Sequence, residues 1–532
     1  MRDHLPKIII IGLLVLIVGV PIVLRPNTRA SGDADAERLV IHTPHNEQIR
    51  YEIAEAFNDW RAANDKPAVE IDWRTVGGTG DIRKSILSQF TQLVNTGIDL
   101  DKQGIGADLF FGGGEYDHNL VAEGIEREVD GQAFYTRVVM DPELDETLFI
   151  EAFPQAIIGG EKLYGIYTFE EDGEQVEIIG WTGVTLSSFG IVFNRDSIKQ
   201  LGIDEPKVWA DLGDPRLRGW VALADPGHSG SISATFETIL KREGWTQGWI
   251  TLRSVFANAR YFATSSDRVP VDVSRGDAAA GMCIDFYGRY QTGMVGDDRM
   301  GYNDPIEDGR SLTATTADPI TLLRGAPNPE LAREFIAWLL TPEAQALWQR
   351  SLGDGSDDLA RPRQYELRRQ PIRKDLFTDA SRASWVDQEL DPYLTALPFP
   401  DGTPSYFSMV APVTKAMASE IHNDMVSAWR ALHDAIEAKH PKADEMRRLF
   451  YEMPPDLTLT WPDAELDKDW LAIQRDKDHP RHSEVVDHLG AFKKRLETLR
   501  DRSDPSVIEG NRLKWRGFFQ ANYRKVVALA RQ

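Results

Sequence analysis

A single cysteine, Cys283, occurs in 532 residues, so no disulfide forms within the chain and no cysteine-built zinc or iron–sulfur centre exists in it. Cys283 sits in the apolar run from Ala278 to Ile284 and reads as a buried structural thiol. Positive charge is also scarce. With 60 Lys and Arg against 83 Asp and Glu, the formal charge is -23, which repels phosphate backbones and anionic lipid and excludes nucleic acid as a partner. Such a surface confers solubility and leaves room for a cationic ligand. Absent too are a Walker A loop, a His-Glu-x-x-His pair, a complete dinucleotide fingerprint and any internal repeat. No cofactor is expected.

What is present begins with an export signal. Arg2, His4 and Lys7 precede the uncharged stretch Ile8 to Leu24, and Arg25 follows it. At about 17 residues the stretch is short for a spanning helix and long for a signal core, so a cleaved signal and a retained anchor both stay open. Thr28-Arg29-Ala30 and Ala34-Asp35-Ala36 offer small-residue cleavage sites, and no nearby cysteine permits a lipid anchor. Residues 1–36 are therefore read as a signal peptide or N-terminal membrane anchor, with the bulk of the chain in the periplasm or otherwise outside the cytoplasm.

The rest is long enough for at least two cores, and 42% hydrophobic residues with 14 Trp suit a packed globular protein. From Leu39 the pattern alternates strand and helix. Leu39–Thr43 precedes Ile49, Ile53, Phe57 and Trp60 at helical spacing, and Val69–Val76 precedes Ile82, Ile86, Phe90 and Leu93. A third strand, Ala107–Phe111, ends in Gly112-Gly113-Gly114. The alternation predicts mostly parallel sheets flanked by helices. Glu170–Glu174 reads as a solvent-facing hairpin, Trp181–Arg195 as a long strand crossing between lobes, and Trp220–Ala224 as a further strand. Asn328-Pro329 and Thr341-Pro342 read as helix starts, and the chain beyond about 350 reads as mainly helical.

Taken together, Leu39–His45, the strand ending at Phe111, Ser188–Asn194, Trp209–Leu212 with Leu217–Gly219, Ala224–Pro226 with Ser229–Ser231, Gly276–Ala279 and Gly325–Glu330 resemble the extracellular solute-binding proteins of type II, which include ferric-ion, thiamine, polyamine and phosphonate or sugar-phosphate binders. The resemblance runs from about 38 to 450. It implies a two-lobe α/β fold, with 38–190 as the first part of lobe one, 191–320 as lobe two, 321–455 returning to lobe one and adding helices, and 456–532 as a helical extension. It also implies a receptor, not an enzyme, that closes on a small solute and delivers it to a membrane permease of an ABC importer.

The turns at Thr43–Asn46, Gly77–Gly80 and Ser229–Ser231 each present unpaired helix N–H groups and a positive dipole end, which favours an anion, and the resemblance places all three beside the ligand. Each also reads as an ordinary cap or tight turn. The candidate ligand-binding residues are Thr43, His45, Asn46, Gly78, Thr79, Gly113, Ser187, Ser188, Ser229, Gly230, Ser231, Asp285 and Tyr287, and Tyr116 and Asp117 follow the glycine run. Asp285, Phe286 and Tyr287 are expected to end a strand where the resemblance places the adjacent tyrosines of ferric-ion binders. Here the first is Phe286, which favours an aromatic lid over an organic solute. Tyr287, Asp285 and His45, with Tyr290, form the ferric alternative. The expected solute is a small organic anion bearing phosphate or phosphonate, with polyamine, thiamine and ferric iron as alternatives. A reading of another class is an exported serine hydrolase. Gly227-His228-Ser229-Gly230-Ser231 nearly spells its nucleophile elbow, but serine stands at the fifth position. A third reading has the C-terminal helices dock a partner protein.

Overall fold

The computed structural model describes residues 37–129, 132–171, 173–353, 361–500 and 504–532. The expected export segment, 1–36, lies outside them. No helix among the described residues is long and apolar enough to cross a membrane.

The first lobe starts with β1 (Glu37–His42), α1 (Glu47–Ala63), β2 (Val69–Arg74), α2 (Thr79–Asn95), β3 (Leu109–Phe111) and α3 (Glu115–Ala122). Leu39, Val40 and Ile41 are all buried, because β1 lies between β2 and β3 with both faces covered, pairing parallel with each. Asn46 starts α1 by accepting the Ile49 N–H at 3.1 Å, and Ile49, Ile53 and Phe57 bury one helical face. In α2, Ile82, Ile86 and Phe90 do the same. A hairpin of β4 (Tyr164–Glu171) and β5 (Glu174–Ser187) follows, where the acidic segment was expected to turn through solvent.

At Ser188 the chain leaves the first sheet and continues at once as β6 (Phe189–Asn194) in the second. The second lobe adds β7 (Val221–Ala224), α4 (Gly230–Glu243), α5 (Trp245–Asn258), β8 (Ala259–Ala263), β9 (Ala280–Ile284), α6 (Asp285–Val295) and β10 (Met300–Asn303). The chain crosses back as β11 (Thr316–Leu323), adds α7 (Pro329–Leu339) and α8 (Pro342–Leu347), and forms the short edge strand β12 (Gln370–Pro371).

Both lobes share one plan. The first sheet runs β12-β5-β11-β3-β1-β2 and the second β8-β7-β9-β6-β10. In each, three parallel strands have the earliest of them in the middle, β1 between β2 and β3 and β7 between β8 and β9, and the last of the three pairs antiparallel with a strand adjoining a crossing, β3 with β11 and β9 with β6. The carboxyl ends of the parallel strands, with their glycine and serine turns, thus face the gap between the lobes.

Two expectations change. Asp285, Phe286 and Tyr287 open helix α6 instead of ending a strand, because β9 already ends at Ile284. Phe286 then reaches across to the hydrophobic core of the first lobe. Asn328 precedes its proline helix without a side-chain cap; its amide nitrogen donates to the Arg38 carbonyl at 2.6 Å.

The last third of the chain crosses a third time and becomes helical as α9 (Phe407–Met417), α10 (His422–Glu437), α11 (Ala443–Tyr451), α12 (Ala464–Arg475), α13 (His482–Thr498) and α14 (Pro505–Leu529). These helices join the core of the second lobe. Leu466, Val485, Leu489, Phe492, Trp515, Phe519, Tyr523 and Val526 share one buried cluster with Phe236, Trp245, Trp249 and Phe256. The reason lies on α5: the buried Arg253 guanidinium donates to the Glu452 carbonyl at 3.1 Å and lies 4.9 Å from the Phe519 ring centroid. The indole of Trp245 donates to the Leu457 carbonyl at 2.7 Å. Residues expected as an extension beyond 455 are structurally the outer layer of lobe two.

Candidate functional site

A cavity of about 630 Å³ lies between the lobes, within the range typical of small-molecule sites. The α2 N-terminus supplies Gly78 and Thr79 from one side, and the α4 N-terminus supplies Ser229, Gly230 and Ser231 from the other. The first N–H groups of each helix have no intrahelical acceptor. Hydroxyls extend this polar wall: Ser231 Oγ lies 3.1 Å from Ser229 Oγ and 2.9 Å from Ser266 Oγ.

At the base of the cleft Arg369 is buried, its Nη2 donating to Ser187 Oγ at 2.9 Å and its guanidinium lying 4.3 Å from the Phe286 ring centroid. It pairs with Asp318 on β11. Asp318 also accepts the Gly113 N–H at 2.6 Å and lies 2.9 Å from His45 Nε2. Burial pushes the Asp318 carboxyl up, but Arg369 and His45 outweigh it and bring it down to about 2. Burial lowers the His45 imidazole despite Asp318, and the permanently charged partner of Asp318 is Arg369. Arg369 Nε and His45 Nδ1, both buried, have no hydrogen-bond partner.

A separate cluster of cavity-lining groups contains Glu115, Glu161, Glu237 and Lys241, beside Tyr116 and Phe407. Lys241 Nζ donates to Glu161 Oε1 at 2.8 Å, and Glu237 Oε1 accepts from Ser405 Oγ, Tyr406 N and Phe407 N at 2.7, 2.6 and 2.9 Å. Burial works against the Lys241 charge, but Glu237 and Glu161 raise its pKa. Burial and then Glu161 raise the Glu115 carboxyl to about 7.

Of the residues singled out in the sequence, His45, Gly78, Thr79, Gly113, Ser187, Ser229, Gly230, Ser231 and Tyr287 line this one cavity. Four do not. Thr43 is buried behind it, accepting the His45 N–H at 3.1 Å, and Asn46 is occupied as the α1 cap. Ser188 turns to Asp304 at 3.2 Å. Asp285, as the first residue of a helix, accepts Gln370 Nε2 at 2.7 Å within the protein. The ferric set of Tyr287, Asp285 and His45 is therefore not gathered around the cavity. The Ser229 hydroxyl bonds to Ser231 and caps the Ile232 N–H at 3.4 Å, so its partners are a hydroxyl and an amide rather than the imidazole a hydrolase requires. Sequence reasoning passed over Arg369, Asp318 and the Glu115 cluster. Asp318 did carry a signal, as a lone carboxylate in the apolar run Thr316–Leu323. Arg369 carried none among the many arginines near it.

The lobes touch. A Cβ on Gly78 would run into the His228 carbonyl, and one on Gly230 would stand 3.4 Å from Asp117 Oδ2. Tyr116 stacks on Phe407 across the gap at 4.2 Å. The φ of Gly78 is -72°, a conformation open to any residue, so its glycine is required only for this approach. Gly78→Val is accordingly expected to block closure, because its side chain would occupy the space of the His228 carbonyl. Small-angle scattering should show an expanded variant that added solute does not compact.

Residues 174–353 match the family model of the bacterial extracellular solute-binding protein. That stretch is similar to an extracellular solute-binding domain and makes up about a third of the chain. The matched stretch contains the β5–β6 crossing, the sheet of lobe two and the return through α8. The two like sheets, each flanked by helices and joined by crossing strands, form a two-lobe α/β fold with extra C-terminal helices. The phosphoglycerate transport regulatory protein PgtC of Salmonella typhimurium is 25% identical over 291 residues, 54% of this chain and 65% of that protein. The match thus spans just under two thirds of that relative's length. An uncharacterised protein of Haemophilus influenzae is 28% identical over 167 residues, 31% of this chain and 46% of its own. Among solved structures, the periplasmic binding protein AfuA of Actinobacillus pleuropneumoniae, with bound fructose-6-phosphate, covers 76% of this chain and 99% of its own at 16% identity and a TM-score of 0.49.

Proposed function

We propose that this protein is the solute receptor of an ABC importer, positioned outside the cytoplasmic membrane by its N-terminal segment, either cleaved or retained. It closes its two lobes on a small organic anion bearing phosphate or phosphonate and hands it to a membrane permease. One observation carries this reading: helix N-termini from opposite lobes, at Gly78–Thr79 and Ser229–Ser231, line the same cavity. A dianion between them meets free N–H groups and two positive dipole ends, which hold the lobes together only while it is bound. Arg369 and the serine hydroxyls add charge and donors. Phosphoglycerate, the solute in the name of the Salmonella relative, is a compound of this class.

Calorimetry and thermal unfolding with 3-phosphoglycerate, glycerol phosphate and inorganic phosphate test it, with glycerol as the neutral control. A ligand at 100 times its Kd stabilises the folded state by about 2.7 kcal/mol, so a phosphate ester should raise the melting temperature while glycerol does not. Equal effects of glycerol and its phosphate would refute the anion reading.

A further inference from the structure

Glu115 Oε2 is buried against the cavity and accepts no hydrogen bond. The neighbouring carboxylates are already engaged: Glu161 by Lys241, and Glu237 by three donors around Ser405–Phe407. Three carboxylates thus surround one ammonium, and the unpaired member faces the ligand space. Next to it the stacked rings of Tyr116 and Phe407 also line the cavity, and aromatic faces attract cations. An isolated buried carboxylate is costly unless a proton or a positive partner meets it.

We infer that the solute is two-ended, with an ammonium group held by Glu115 beside Tyr116 and Phe407 while its phosphate or phosphonate sits between the helix N-termini. This rests on the anion-receptor reading above and narrows it to amino-phosphates and amino-phosphonates. Lys241 does not take the place of the ligand amine, since its ammonium is bound to Glu161. A plain hydroxyl would hydrogen-bond to Glu115 without neutralising it.

The charged groups facing Glu115 are Glu161, Lys241, Glu237 and Lys162. Burial and Glu161 keep its carboxyl partly protonated near neutrality, at about 7, so its hold on an ammonium strengthens as pH rises through that value. The second phosphate ionisation, near about pH 6, is common to any pair of matched phosphates and cancels in their affinity ratio.

The experiment is calorimetry with 2-aminoethyl phosphate and 2-hydroxyethyl phosphate, which differ only in an ammonium for a hydroxyl. Wild-type protein should bind the amine at least about tenfold more tightly at pH 8, a ratio that one charge-assisted hydrogen bond supplies. The ratio should shrink at pH 6, and Glu115→Gln should abolish it while both compounds still bind. Equal binding of the two by wild-type protein, or a folded Glu115→Gln protein that keeps the preference, overturns this inference and leaves the anion receptor standing. Failure of both phosphates to bind overturns the two together.

Discussion

A chain ending at residue 455 is expected to yield no folded protein. Truncation removes Leu466, Val485, Leu489, Phe492, Trp515, Phe519, Tyr523 and Val526 from the core of lobe two. At roughly 1.5–3 kcal/mol for each buried apolar side chain, the loss over these eight is about 12–24 kcal/mol. A domain has about 5–15 kcal/mol to lose. It also strips the Phe519 ring from the buried guanidinium of Arg253 and opens the packing around Trp245, which lies 5.3 Å from Phe492. Circular dichroism and proteolysis of the truncated chain check this. A soluble, cooperatively unfolding product that still binds solute would show that the last helices are a separate docking module.

Arg369→Met should be the most damaging single change at the site. It leaves Asp318 buried without its cationic partner, and breaking such a pair costs about 3–5 kcal/mol. The same change removes the buried cation from the cavity, so phosphate affinity should fall by about a hundredfold or more, as for loss of a charge-assisted contact with a buried group. Acid sharpens the test. In the wild type the Asp318 pKa of about 2 lies below its usual 3.8, so the pair stabilises the fold by about 2 kcal/mol above pH 4, a contribution lost as pH falls towards 2. Without Arg369 burial dominates and the pKa rises above the usual value. That carboxyl then favours the folded state only in acid, and stability should fall as pH rises. Urea titrations between pH 3 and 7 should show the reversed slope. Addition of Asp318→Asn should recover most of the lost stability but not the affinity.

Much of the fold was readable because local rules and tertiary packing agree. Ile49, Ile53 and Phe57 repeat at helical spacing and are buried on one face, and Leu39–Ile41 form a continuous apolar run because β1 is covered on both sides. The turns that line the cavity were equally legible, since glycine and serine between a strand and a helix leave amides exposed at a sheet edge. Three kinds of information were not local. Asp285–Tyr287 lies at a strand–helix junction, where propensity does not say which residue turns first. The tail beyond 455 is amphipathic, but an apolar stripe does not name the surface that covers it. Arg369 and Glu115 draw their meaning from Asp318 and Glu161, partners 51 and 46 positions away, a difference of 369 and 318 and of 161 and 115. Only the folded chain brings them together.

Native mass spectrometry of protein purified without denaturation, then incubated with mixed phosphate esters, tests the closing cleft most directly. The wild-type chain should carry one phosphate-bearing solute per molecule, and Gly78→Val should stay at its bare mass under the same conditions. A wild-type chain that also stays bare, or a Gly78→Val chain that carries the same adduct, would contradict lobes that shut on an anion between their facing helix ends.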